Sequence, residues 1–208
     1  MTRLRTDPWA PAVAHLTSVD PRWTPVIERV GPCRLRPRKE RFGTLVRAII
    51  GQQISTKAAA SIDARLRDLA SGPHEPTALL RLGVDGLRSA GLSGVKAQYV
   101  LNLSEAVESG RLPLRRIGAW DDERIIARMT EIKGIGRWTA EMFLIFALNR
   151  PDVLPVHDLG VRVGFRDHYG LEELPGPKIC AELAEPWRPF RTVAMWYFWR
   201  SRDTKPAS

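Results

Sequence analysis

The stretch EIKGIGRWTAEM, residues 131–142, places Gly134 and Gly136 on either side of Ile135, directly after Lys133 and ahead of an apolar run. Glycine reaches backbone conformations closed to other residues, so the pair can turn the chain sharply. The first N–H groups of a following helix have no intrahelical partners, and the helix dipole makes that end positive. Such a turn can grip an anion, most simply a phosphate, and Lys133 adds charge beside it. Contacts of this kind fix position without reading sequence. The same glycines would equally serve a plain corner between two helices.

The rest of the composition favours the anion. The 208 residues carry 32 Lys and Arg against 23 Asp and Glu, a formal net charge of +9. A surplus of this size favours a polyanionic partner such as nucleic acid, although a basic surface kept for solubility has the same composition. Cys33 and Cys180 are the only cysteines. Two are too few for a four-cysteine iron–sulfur cluster or zinc site, and a reducing, intracellular setting fits them. The N-terminal MTRLRTDPWAPAV has no apolar run suited to a signal peptide. The longest apolar run, MFLIFAL at 142–148, is far short of the ~20 residues a membrane span needs.

The elements that must position the turn read as helices. FGTLVRAIIGQQIS (42–55) has the i, i+3, i+4, i+7 spacing of an amphipathic helix, and TKAAASIDARLRDLA (56–70) continues as a second. Further helices are expected over 78–93, broken by glycines, and over 95–110, ending at Gly110. Residues 121–132 open with acids in the first turn, as a helix dipole prefers. Residues 137–149 are apolar on nearly all sides and should be buried. Asp158 stands at the N-cap position of 158–169, and a last helix covers about 188–201. The tail DTKPAS (203–208) should fray. No repeat or low-complexity linker divides the chain, so a single all-α domain over 1–208 is expected, with room for two lobes.

The longer pattern MTEIKGIGRWTAEMFLIFALNRPDVLPVHDLGVRV (129–163) resembles the helix–hairpin–helix DNA glycosylase superfamily. That family's hairpin, hydrophobic-x-G-hydrophobic-G-x-x-T-A, is followed downstream by an aspartate that opens the next helix; here Gly136 and Asp158 lie 22 positions apart. AIIGQQIS (48–55) and AGLSGVKAQYV (90–100) look like the family's earlier segments, in the right order. Within the superfamily the chain looks most like the 3-methyladenine DNA glycosylase II group, which removes alkylated bases. The resemblance implies a two-lobed helical fold with a DNA-binding cleft, its hairpin at about 129–140. It also implies no N-terminal β domain of the kind the group's long form often carries.

Further roles follow from the resemblance alone. Asp158 is the implied catalytic carboxylate, which would stabilise a sugar cation and orient or deprotonate water; its other role is an ordinary helix cap, and the two are compatible. Asp152 and Asp167 do not match the motif, and His157 reads as a loop residue. Members that also cut the strand carry a lysine nucleophile two residues after the second hairpin glycine. That position is Trp138, so no Schiff base can form and no lyase activity is expected. Trp138 would line the base pocket with Trp196 and, beside it, Tyr197, although each also suits a core. The family's pocket tyrosine one turn after Trp138 is Met142 here, which implies a roomier pocket.

DNA contacts are implied for Lys133, Gly134, Ile135, Gly136 and Arg137 in the hairpin, and for Gln53 in the minor groove. Leu92 would be the wedge filling the gap left by an everted base, with Ser93 or Gly94 as alternatives at the loop tip. Lys96 is a further candidate phosphate contact, although a solvated basic face would carry the same residues. A monovalent cation on the main-chain carbonyls of Thr130, Ile132 and Ile135 is implied, and no other cofactor. The expected partner is double-stranded DNA with damaged bases, met by a monomer away from any membrane. Two other readings remain: a helix–hairpin–helix module that only binds DNA, and a glycosylase for oxidised, deaminated or mismatched bases.

Overall fold

A computed structural model describes residues 7–203. Among the described residues there are eleven α-helices and two short 3-10 turns, with no strand. None of these helices is long and apolar enough to cross a membrane. The chain divides into two compact units. One joins the segment up to Arg36 to the chain from Asn149 onward, and the other is Pro37–Leu148.

The Pro37–Leu148 unit holds α3 (Arg41–Gly51), α4 (Thr56–Leu69), α5 (Pro76–Ser89), α6 (Gly94–Glu108), α7 (Asp122–Thr130) and α8 (Arg137–Phe146). Every side chain from Thr139 to Ile145 is buried, so α8 is the central rod of the unit, packed against α3 and α7. Ser55, Ser93 and Asp121 cap α4, α6 and α7, each accepting the backbone N–H three residues on. Gly83, at φ +61, kinks α5 where the glycine-broken stretch was expected to bend.

The other unit holds α1 (Ala10–Val19), α2 (Trp23–Val30), α9 (Leu159–Tyr169), α10 (Pro177–Leu183) and α11 (Arg191–Asp203). Its core is aromatic. Trp23 stacks on Phe198 with ring centroids 5.1 Å apart, and Phe165 on Trp187 at 5.2 Å. The small faces of α9 let α11 approach. A side chain at Gly164 would overlap the Phe198 ring, and one at Gly160 would meet the Trp199 ring and an Asp158 oxygen at 3.0 Å. The fraying expected of 203–208 falls, beyond Asp203, outside the described residues.

Candidate active site

The hairpin joins α7 to α8 through residues 131–136. Gly134 has φ +103, and a Cβ there would overlap the Tyr99 ring of α6. This position needs glycine for both conformation and space. Gly136 differs: at φ −89 and ψ 175 its backbone is ordinary, and a Cβ would meet nothing within 4 Å. Only Gly134 therefore makes the sharp turn expected of both. Gly136 is the N-cap of α8 and supplies no side-chain cap, and both it and Arg137 are exposed.

Of the two expected basic groups here, Lys133 is exposed, and its carbonyl accepts a hydrogen bond from Asn102 at 3.1 Å. Arg137 is exposed but bridges two carboxylates. Its guanidinium pairs with Glu123 at 2.7 Å and with buried Glu141 at 3.0 Å, holding the Glu123 carboxyl below the usual carboxylate range. Arg137 thereby ties Glu123 of α7 to α8 while its side chain stays open to solvent.

The main-chain carbonyls of Thr130, Ile132 and Ile135 fit a monovalent cation in kind, being neutral hard oxygens in one turn. Ile132 accepts the Ile135 N–H at 3.0 Å, and its carbonyl has a second lone pair. Among the described residues no three His, Cys, Asp or Glu side chains gather as a metal site.

Trp138 is half-buried on the first turn of α8, and Met142, one turn on, is 6% exposed. In the loop before α6, Leu92 is only 5% exposed, whereas a residue that fills a gap in DNA must reach solvent. The wedge expectation for Leu92 is therefore corrected. Gly91, Ser93, Gly94 and Val95 are the exposed residues there, and the Ser93 hydroxyl oxygen also caps α6. Gln53 is exposed at φ +57.

In the other unit the chain enters α9 at Asp158. Its Oδ1 accepts the Val161 N–H at 2.8 Å, the expected cap, and the indole Nε1–H of Trp199 at 3.0 Å. Two N–H donors on one oxygen fix the direction of the carboxylate. The loop leading to it is pinned to the start of α11. Asp152 Oδ1 accepts from Arg191 Nε at 2.6 Å and Oδ2 from Arg188 at 2.6 Å, while the Thr192 hydroxyl bridges the Arg150 carbonyl and the Val153 N–H. Asp152 is thus a structural clamp. Asp167, exposed, pairs with its neighbour Arg166.

Of the aromatic wall expected from α11, Trp196 is 7% exposed and sits edge-on to Tyr197 at 5.0 Å. Tyr197 is wholly buried, with its hydroxyl donating to the Gly31 carbonyl at 3.1 Å, so it belongs to the core and not to a substrate surface. The half-buried residue that touches Asp158 is Trp199, which sequence reasoning passed over. Its signal was available: Trp199 ends the apolar run of α11 just before Arg200, Ser201 and Arg202, at the polar margin.

Residues 46–189 match the family model described as HhH-GPD superfamily base excision DNA repair protein. This chain belongs to that superfamily. The matched span takes in both the hairpin and Asp158. Among HhH-GPD relatives, DNA-3-methyladenine glycosylase 1 of Schizosaccharomyces pombe is 36% identical over 205 residues, covering 94% of this chain and 90% of the relative. The solved structure of the S. pombe 3-methyladenine DNA glycosylase in complex with abasic DNA superposes with a TM-score of 0.85, at 36% identity over 91% of this chain and 95% of that one. A DNA-3-methyladenine glycosidase from Bacillus halodurans gives 0.79 at 38% identity, over 94% and 90%. The all-helical architecture of the described residues accords with the HhH-GPD assignment.

Proposed function

We propose that this HhH-GPD protein is a monofunctional DNA glycosylase that releases alkylated bases, of the 3-methyladenine and 7-methylguanine type, from double-stranded DNA. The observation that carries the reading is the Asp158 carboxylate, fixed at the start of α9 by the Val161 and Trp199 N–H groups. The names of the relatives support the same substrate class.

Alkylation at N3 or N7 leaves a purine with a formal positive charge. As the bond from C1′ to the base nitrogen breaks, its electron pair stays with the base, which departs neutral. The sugar becomes an oxocarbenium ion, and the Asp158 carboxylate stabilises it electrostatically. Water adds to C1′ and gives up a proton to the carboxylate or to solvent. Because the base is already cationic, the reaction needs no redox or Lewis-acid cofactor and no general acid. Trp138 offers an aromatic face to that cation, an attraction of about 0.5–2 kcal/mol. It also stands where an amine would be needed for a Schiff base, so the strand stays intact. The open α8 N-terminus and Lys133 hold a phosphate. An alkali cation on the Thr130, Ile132 and Ile135 carbonyls would strengthen that hold. The protein acts as a monomer on DNA inside the cell.

One assay tests the proposal. The protein is incubated with methylated duplex DNA and with duplexes bearing single oxidised, deaminated or mismatched bases, and free base and alkali-labile breaks are scored. Release from methylated DNA alone, with breaks only after alkali, is expected. Asp158→Asn should cut release by on the order of a thousandfold while DNA binding persists. Binding with no base released from any duplex would identify a binding module instead.

A further inference from the structure

Two long polar side chains of the Pro37–Leu148 unit spend their hydrogen bonds on main chain at one corner. Lys96, on the first turn of α6, donates from Nζ to the carbonyl oxygens of Ile50 at 2.8 Å and Gln52 at 2.6 Å. These carbonyls lie at the C-terminal end of α3, where helix carbonyls lack intrahelical partners and a cation is favoured. Burial pushes the Lys96 ammonium below the usual lysine range, a cost that a lysine kept for surface charge would not meet. Its expected phosphate contact therefore gives way to an internal one. Gln52 turns the other way. Its Nε2 donates to the Gly134 carbonyl at 3.2 Å and approaches the Thr139 hydroxyl at 3.1 Å, more than 80 positions along the chain.

Between these anchors Gln53 is held at φ +57 with its side chain exposed, next to exposed Ile54. Residues other than glycine seldom adopt that conformation, and strain of this kind persists only where the surroundings over-determine it. Here the surroundings are known: an ammonium on the carbonyl of residue 52 and an amide from residue 52 on the hairpin.

We propose that Lys96 and Gln52 are positioning residues that lock the α3–α4 corner to the hairpin, so that a phosphate held at Gly134–Gly136 fixes how deeply Gln53 enters the DNA. The inference rests on the excision reading for its consequence in rate. The device explains why a strained, exposed glutamine is attached to the turn that holds the phosphate.

The test is a set of double-mutant cycles. Single-turnover base release from a duplex with one 7-methylguanine is measured for wild type, Gln52→Ala, Lys96→Met, Gln53→Ala and the two doubles with Gln53→Ala. Gln52→Glu and Lys96→Gln serve as second variants should the first ones melt early, and Lys96→Arg is the conservative control. Each brace variant should slow release by about tenfold alone and by less than about twofold in the Gln53→Ala background, the non-additivity of residues acting through one group. Lys96→Arg should recover most of the rate. An equal slowing in both backgrounds would overturn the proposal.

A second arm needs no catalysis. Each protein is saturated with a duplex holding 2-aminopurine opposite an abasic analogue. Wild type should change the fluorescence, and the brace variants should lose that change as Gln53→Ala does. No change with wild type, or the same change with the brace variants, would overturn the proposal. Wild-type protein that alters the fluorescence yet releases no base would sink the excision reading and leave the brace standing.

Discussion

Asp158 owes its direction to two N–H groups of different origin. The Val161 N–H comes with the helix it caps, whereas the Trp199 indole arrives from 41 positions away. Removing the second should leave the cap in place and free the carboxylate to rotate. Trp199→Phe keeps an aromatic ring against Gly160 but loses the donor. It should lower single-turnover release by about ten- to a hundredfold, the scale of one lost catalytic hydrogen bond, with DNA affinity nearly unchanged. A matching loss of affinity and of rate would instead make Trp199 a substrate wall. Gly160 belongs to the same device, because any larger residue there would press on Asp158 Oδ1 and the Trp199 ring together.

Among the elements, the hairpin is rigid for reasons that lie mostly outside it. Tyr99 of α6 fills the space under Gly134, Asn102 of α6 holds the Lys133 carbonyl, and Gln52 holds the Gly134 carbonyl. Gly134→Ala adds strain at φ +103 and an overlap with the Tyr99 ring, together costing about 2–4 kcal/mol. Thermal denaturation should show the loss, and affinity for undamaged duplex should fall with it. The double variant Gly134→Ala/Tyr99→Ala should recover part of the stability, since the overlap goes and the backbone strain stays. Full recovery would mean that the positive φ costs nothing there. Gly136 has no such neighbour, so a substitution at 136 should spare stability and act on DNA affinity.

At the scale of the whole molecule, stability should depend on pH through one buried pair. His168 lies beneath Trp23, ring centroids 4.3 Å apart, and shares a 2.9 Å hydrogen bond with Asp20. Burial pushes the His168 imidazole below its ordinary 6.5, and the attraction of Asp20 only partly opposes it. The neutral ring donating to an ionised carboxylate is therefore the state at neutral pH, and not a charged pair. Burial also works to raise Asp20, but the hydrogen bonds from Arg22 and His168 outweigh it and hold that carboxyl below 3.8. Below about pH 6.5 the unfolded chain then binds more protons than the folded one, so stability falls as pH drops. The Asp20 contribution is present above 3.8 and is lost as pH falls through its lower folded value. Melting temperature measured from about pH 7.5 down to about pH 5 should fall more steeply for wild type than for His168→Gln. Parallel curves would show that His168 does not titrate differently on folding.

Much of this was written locally in the chain. Helix spacing, the Asp158 cap and the burial of α8 depend on residues three or four apart, so the sequence alone determined them. The G-I-G hairpin and Asp158 were legible for the same reason, each being a short motif at a helix start. Tertiary structure decided what depends on distant neighbours. It buried Leu92 and Tyr197, paired Arg137 with Glu123 and Glu141, turned Lys96 onto the end of α3, and brought Trp199 to Asp158 and Gln52 to Gly134. No periodicity marks such pairings: a side chain's type fixes what it can bond to, while only packing selects which partner comes within about 3 Å of it.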